Sequence, residues 1–86
     1  MKVKITIKVN LTDAKVVEAL MRSTTPDNIG LPKGIRIEGL VKGNEATYVI
    51  KCEISEPKDV LKCRNTADDL LAHMELALKT IRSLSH

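Results

Sequence analysis

The stretch DVLKCRNTADDLLAHMELALKTIRSL, residues 59–84, decides the fold of this chain because it predicts one long amphipathic helix. Apolar residues recur in two rows at intervals of seven, with steps of three and four between the rows. The rows consist of Val60, Ala67, Met74 and Ile81, and of Cys63, Leu70, Ala77 and Leu84. This period is typical of a helix buried along one side. Leu71 and Leu78 flank the rows and Leu76 lies further round, so the helix has surplus apolar surface and predicts a partner.

The sequence offers two starting points for this helix. Ser55 or Asp59 can cap it, with Pro57 tolerated in the first turn. Alternatively, the helix begins at Thr66, because TADD at residues 66–69 resembles a capping box with Asp in place of Glu. Both alternatives stay open at this level.

The residues before the long helix predict three strands and a shorter helix. Apolar and polar residues alternate over residues 2–10, 35–42 and 46–54, the pattern of half-buried strands. After the first strand, Thr12 can cap a helix with Asp13 in its first turn, and Pro26 ends it. Gly43 and Asn44 predict a tight turn between the second and third strands.

This order of elements predicts the fold class. A strand, a helix, two strands and a helix are most economically packed as an α+β fold, with a three-stranded antiparallel sheet and both helices on one face. The chain has 86 residues, so we expect a single domain over residues 1–86. A chain this short buries only about 60% of the surface of its unfolded state, which favours oligomerisation.

The composition restricts the core and the location of the protein. The chain has one Tyr and no Phe or Trp, so the core must be aliphatic. No apolar run approaches the ~20 residues that span a membrane, so we expect a protein without a membrane partner. The two cysteines, with no signal peptide, suggest a reducing cytoplasm, where Cys52 and Cys63 would be buried thiols.

The inventory of reactive side chains argues against an enzyme. His73 lies in the long helix and His86 is the last residue, and neither has a spacing typical of a triad or a metal site. Asp68 and Asp69 are adjacent, so on a helix they point about 100° apart. The segment GLPKG at residues 30–34 lacks the spacing of a phosphate-binding loop. We therefore expect no catalytic residues, no cofactor and no metal.

The basic residues leave two interpretations open. The net charge of +3 is compatible with a nucleic-acid partner but does not require one. Base-stacking modules need aromatic side chains, and Tyr48 should point into the core. The candidates for phosphate contacts are Lys4, Lys8, Arg36 and Arg64. The alternative is a solvated surface of mixed charge, on which the lysines of the first strand prevent aggregation.

Three short segments, in one order, carry a resemblance to a known family. They are TPDN at residues 25–28, where a helix ends, PKGIRI at residues 32–37, which enters a strand, and RNTADDLL at residues 64–71 in the final helix. Over nearly its whole length the chain resembles the Polarised growth Chromatin-associated Controller family, the smallest subunit of the KEOPS complex. That family usually has Asn at the position of Asp68, so one contact of this position is in doubt.

The resemblance implies a function and partners. KEOPS makes threonylcarbamoyladenosine next to the anticodon of tRNA, and the chemistry belongs to a threonylcarbamoyltransferase subunit that uses a metal and an ATP-derived donor. The small subunit is non-catalytic and homodimeric, binds and dimerises the transferase through a helical bundle, and assists tRNA binding. A single short chain suits an archaeal version in the cytoplasm. The alternative is a stand-alone nucleic-acid-binding or transcription-associated small homodimer.

The apolar pattern and the resemblance together predict the residues of two interfaces, one with the transferase and one between two copies of this chain. The groove for helices of the transferase would consist of Val17, Met21, Leu71, Met74 and Leu78. In the alternative, Met74 belongs wholly to the core. Self-association would use the sheet, through its edges or through Leu40 and Val49, the two apolar residues on its otherwise polar face.

Overall fold

The computed structural model describes residues 1–24 and 30–84, and for residue 84 the backbone alone. The elements are β1 (Lys2–Asn10), α1 (Ala14–Ser23), β2 (Ile35–Lys42), β3 (Glu45–Glu53) and α2 (Pro57–Leu84). The three strands form one antiparallel sheet in the order β1-β3-β2, and both helices pack on one of its faces. The predicted α+β fold and its element order are confirmed. The helix stop at Pro26, the segment 25–28 and His86 lie outside the described residues.

Strand β3 is the centre of the sheet. It pairs with β1 over its whole length, from Lys2 opposite Glu53 to Asn10 opposite Glu45. It pairs with β2 through the predicted two-residue turn, in which Gly43 has a φ of 59°. Glycine tolerates this left-handed conformation, and Gly in the first of the two central positions is typical of a type II′ hairpin turn.

The core lies between the sheet and the helices and is aliphatic apart from one ring. Tyr48, Leu20, Ile50 and Val17 are the largest fully buried side chains. The two helices pack against each other, and on the sheet α1 lies over β2 and β3 while α2 lies over β3. The inner face of β1 is covered less well, because its apolar side chains Val3, Ile5, Ile7 and Val9 are all only half-buried.

Helix α1 begins one residue later than the sequence predicts. The N-cap is Asp13 rather than Thr12, since Asp13 keeps an extended backbone and its Oδ1 accepts a hydrogen bond from the Lys15 N–H at 2.9 Å. The helix therefore starts at Ala14 with a carboxylate at its positive end, which stabilises it.

Helix α2 begins at Pro57, so the early start is confirmed and the start at Thr66 is wrong. Asp59 caps it from within the first turn: its Oδ2 accepts hydrogen bonds from the N–H groups of Ser55 and Glu56, each at 2.9 Å. These two bonds hold the pKa of the Asp59 carboxyl below its usual range. Thr66 is instead an interior helical residue, whose hydroxyl donates to the carbonyl of Lys62 at 2.9 Å.

The two cysteines are joined in a disulfide, so the expectation of free thiols is wrong. Cys52 lies near the end of β3 and Cys63 in the second turn of α2, with their Cα atoms 6.0 Å apart. Their burial is confirmed, because the exposed fractions are 2% and 3%. The bond forms because both side chains belong to the apolar faces of two elements that pack directly on each other.

Candidate functional site

The open face of the sheet carries a row of three cations. Lys51 of β3 lies directly opposite Lys4 of β1 and directly opposite Arg36 of β2. All three residues are exposed. Lys51 also forms an exposed ion pair with Glu38, at 3.2 Å. One carboxylate offsets one of the three cations, so the row retains an excess of positive charge.

The open face accounts for the whole net charge of the chain. Six of the 14 basic residues and three of the 11 acidic residues lie on it, which leaves eight of each elsewhere. The basic residues are Lys2, Lys4, Lys8, Arg36, Lys42 and Lys51, and the acidic ones are Glu38, Glu45 and Glu53. The rest of the chain is therefore neutral in total, and the open face carries +3.

A shallow depression of about 440 Å³ lies at the end of the sheet beside this row. Lys2, Arg36 and Lys51 contribute its cationic lining, and Glu53 contributes a carboxylate. Gly34, which precedes β2, has a φ of 87° and also lines the depression. The depression thus extends from the row of Lys4, Lys51 and Arg36 to Lys2 and Glu53 at the end of the sheet.

The structure brings only some of the predicted phosphate-contacting residues together. Lys4 and Arg36 share the row, and Lys8 lies on the same face, four residues and about 14 Å further along β1. Arg64 is on α2, beside the inner face of β1, and belongs to a different surface. Lys51 was missed as a site residue, although the alternation of β3 places it on the polar face and the strand register makes it the middle of the row.

The second candidate surface is a groove between β1 and the adjacent flank of α2. It has a volume of about 200 Å³, and its lining is mainly apolar. The lining residues are Val3, Ile5, Ile54, Val60, Cys63, Arg64, Ala67 and Asp68. Leu71 and Leu78 follow Arg64 at intervals of seven, so they lie on the same flank of α2. We call Val60, Leu71 and Leu78 the α2 flank.

The predicted transferase groove is only partly at the surface. Val17 and Met74 have exposed fractions of 0% and 4%, so they belong to the core and offer no surface to a partner. Met21 and Leu78 are half-buried, and Leu71 is 46% exposed. Helical rows predict Val60 as a core residue, but it is 53% exposed because α2 passes the uncovered inner face of β1 at this point.

The apolar residues of the open face do not form a broad patch. Leu40 is 66% exposed, whereas Val49 is half-buried. Val49 lies between Thr6 and Glu38 in the strand register, so polar side chains surround it.

Two further expectations concern α2. Asp68 lines the groove next to β1, whereas Asp69 and His73 line a separate open cleft on the other side of the helix. The adjacent carboxylates thus diverge as predicted. Among residues 1–24 and 30–84, no three His, Cys, Asp or Glu side chains converge as metal ligands would.

The fold and these surfaces define a two-layer α+β protein whose candidate sites are open surfaces: a cationic sheet face and an apolar helix flank. None of the helices in the described part of the chain is both long and apolar enough to cross a bilayer. No protein-family model matches the chain, and a search of curated proteins gives no significant match.

Proposed function

We propose that this chain is a non-catalytic, homodimeric subunit of a KEOPS-type complex that forms threonylcarbamoyladenosine in tRNA. In this role it binds and dimerises the catalytic threonylcarbamoyltransferase and assists tRNA binding. The proposal rests on the resemblance of residues 25–28, 32–37 and 64–71, and on one structural observation. That observation is the α2 flank, which leaves large apolar side chains at the surface next to a half-covered strand.

The α2 flank has the properties of a helix-docking surface. Val60, Leu71 and Leu78 repeat at intervals of eleven and seven, so they form one line along α2. The charged side chains of Arg64 and Asp68 interrupt this line between Val60 and Leu71. A partner helix that lies beside this line would also cover the inner face of β1. Burial of such side chains contributes about 1.5–3 kcal/mol each when it is complete. The flank therefore supports a helical bundle with the transferase.

Self-association is assigned to the edge of β1. Among the residues that the structure describes, none pairs with the outer edge of this strand, and its inner side chains are half-buried. A second copy that pairs along β1 would satisfy the backbone groups at this edge. The alternative through Leu40 and Val49 has less apolar surface, since Val49 is half-buried among polar neighbours.

The disulfide is compatible with a cytoplasmic location only in certain organisms. Disulfides are rare in the cytosol of mesophiles but common in intracellular proteins of hyperthermophilic archaea and bacteria. A cytoplasmic subunit of such an organism would therefore retain the Cys52–Cys63 bond.

The test is capture of the cognate transferase, measured by size-exclusion chromatography with light scattering. We expect the chain alone to have the mass of a dimer and to form a larger complex with the transferase. Leu71→Asp with Leu78→Asp should abolish this complex. The matched control is Leu61→Asp with Leu76→Asp, since these leucines are 58% and 64% exposed on α2 but lie outside the flank.

Each outcome decides a part of the proposal. Equal loss of capture in both double variants would mean that the α2 flank is not the docking surface. Because Leu78 is half-buried, the single Leu71→Asp variant provides a second measurement that perturbs the core less. A wild-type chain that ignores the transferase would contradict the assembly role. The stand-alone nucleic-acid-binding homodimer, which the cationic sheet face favours, would then replace it.

A further inference from the structure

We propose that the open face of the sheet binds the phosphate backbone of double-helical RNA, with Lys4, Lys51 and Arg36 as the contacting row. This inference deepens the proposed function, on which it rests for the choice of RNA among polyanions. It assigns the contacts to one surface, includes Lys51, and excludes Arg64 on the helical side.

The first argument is the electrostatic repulsion between neighbouring cations of the row. Like charges directly opposite each other on neighbouring strands destabilise a sheet. The row contains two such contacts, Lys4 with Lys51 and Lys51 with Arg36. Glu38 offsets one of the three charges through its ion pair with Lys51. A bound polyanion removes the remaining repulsion, so the arrangement favours an anionic ligand.

The second argument is the distribution of charge over the molecule. The sheet face carries the entire net charge of +3, and the remaining residues of the chain sum to zero. On β1, Lys2, Lys4 and Lys8 extend the positive area over about 20 Å, at a rise of about 3.4 Å per residue. Across the three strands, the row spans about 10 Å. This area is large enough to contact several successive phosphates.

The third argument concerns the kind of nucleic acid. The only aromatic side chain, Tyr48, is fully buried on the other side of the sheet, so the face offers no platform for unstacked bases. Both helices pack on the inner face, so neither projects from the open face into the major groove of DNA. Double-helical RNA presents a wide, shallow minor groove with its phosphates at the rim. A cationic face from which neither helix projects can lie across that groove.

The experiment measures binding of the full chain to an RNA hairpin by fluorescence anisotropy over a range of salt concentrations. With about three phosphate contacts, we expect the affinity to fall about 40-fold between about 50 and 200 mM salt. The variant Lys4→Gln, Lys51→Gln, Arg36→Gln should lose the salt-dependent binding. The matched control is Lys15→Gln, Lys79→Gln, Arg82→Gln, which removes two lysines and one arginine from exposed positions on the helices.

A second variant tests the surface without removing any cation. Thr6→Glu introduces a carboxylate on the open face, opposite Val49, which lies two residues from Lys51 along β3. We expect it to weaken RNA binding at least as much as the loss of one lysine. Thermal unfolding of every variant checks that the fold is retained.

The comparison ligands are a DNA duplex of the same sequence and poly-glutamate. Tighter binding of RNA than of both ligands supports the assignment. Equal binding of the DNA duplex or of poly-glutamate would overturn the choice of RNA. Wild-type affinity in the triple variant, or no salt-sensitive binding by the wild-type chain, would overturn the site.

These outcomes are separable from those of the assembly experiment. A chain that binds RNA through the row but does not capture the transferase leaves the site intact and removes the assembly role. A chain that captures the transferase, while its triple variant binds RNA normally, removes only the site.

Discussion

The buried hydroxyl groups of Thr24 and Tyr48 share a hydrogen bond that joins the end of helix α1 to the central strand. The Thr24 hydroxyl also donates to the carbonyl of Leu20, at 2.7 Å. If it donates there, the phenol of Tyr48 is the donor in the bond between the two side chains. This polar contact lies inside an otherwise aliphatic core, so it fixes how α1 sits on the sheet.

The two partners should differ in the cost of their removal. Tyr48→Phe leaves Thr24 bonded to Leu20, so we expect the free energy of unfolding to fall by about 1 kcal/mol. Thr24→Val leaves the Tyr48 hydroxyl buried without its partner, for which we expect a larger loss of about 1–3 kcal/mol. Urea unfolding followed by circular dichroism measures both. An equal or smaller loss in Thr24→Val would contradict this account of the contact.

Tyr48 should also make stability sensitive to alkaline pH. Burial raises the pKa of the Tyr48 phenol above its usual value of 10.0, and the bond with Thr24 offsets part of this rise. The folded state therefore holds the proton more tightly than the unfolded state. This contribution to stability is complete below about pH 10 and is lost as the pH rises further.

Because Tyr48 is the only tyrosine, tyrosinate absorbance reports its titration directly. We expect the transition to occur at higher pH in the folded chain than in the urea-unfolded chain. The variant Tyr48→Phe should not show the part of the loss of stability at alkaline pH that comes from this phenol. Coincident titration of the folded and unfolded chains would show that folding does not raise the pKa of the phenol.

Reduction of the disulfide should lower stability substantially. Cys52 and Cys63 are separated by 11 positions, and closure of a loop of that length contributes about 3 kcal/mol in the chain-entropy account. For a domain of this size, we expect the melting temperature to fall by roughly 10–20 °C. Calorimetry with and without a reductant measures the shift. The variant Cys52→Ala, Cys63→Ala should be unresponsive to reductant, and a wild-type chain that is equally unresponsive would contradict the prediction.

Reversing one charge of the cation row should raise the stability of the chain and lower its affinity for RNA. Lys4→Glu converts a like-charge contact with Lys51 into an opposite-charge pair, so we expect a gain of about 0.2–1 kcal/mol. RNA affinity should fall in the same variant. The control is Lys8→Glu, which makes the same charge change opposite Thr47 and lacks this particular cross-strand gain. Equal thermal stability of the two variants would argue against repulsion within the row.

Local patterns were sufficient to predict the elements but not every contact between them. The alternation of residues 2–10 predicted β1 to the residue, and the period of three and four predicted α2, because both patterns reflect local geometry. The cap of α1 shifted from Thr12 to Asp13, since both side chains can accept the same backbone hydrogen bonds. The residue at which a helix begins depends on backbone conformation, which the neighbouring residue types do not determine.

The contacts that were missed depend on how the elements pack. The disulfide requires the end of β3 to meet the second turn of α2, and the row of Lys4, Lys51 and Arg36 requires the order β1-β3-β2 and its register. Val60 and Met74 occupy the same apolar row, yet one is exposed and the other is buried. Their difference comes from what packs against the helix at each point, since Val60 lies beside the half-buried inner face of β1.

The strand order has a consequence for synthesis of the chain on the ribosome. β1 is made first, but its partner β3 begins about 35 residues later, so β1 remains unpaired for about 2–7 s at ordinary rates of translation. During that interval an apolar strand with free backbone groups can pair with another nascent chain. The lysines at positions 2, 4 and 8 repel such a neighbour, so the charges that face the solvent in the finished sheet also protect the strand before the sheet exists.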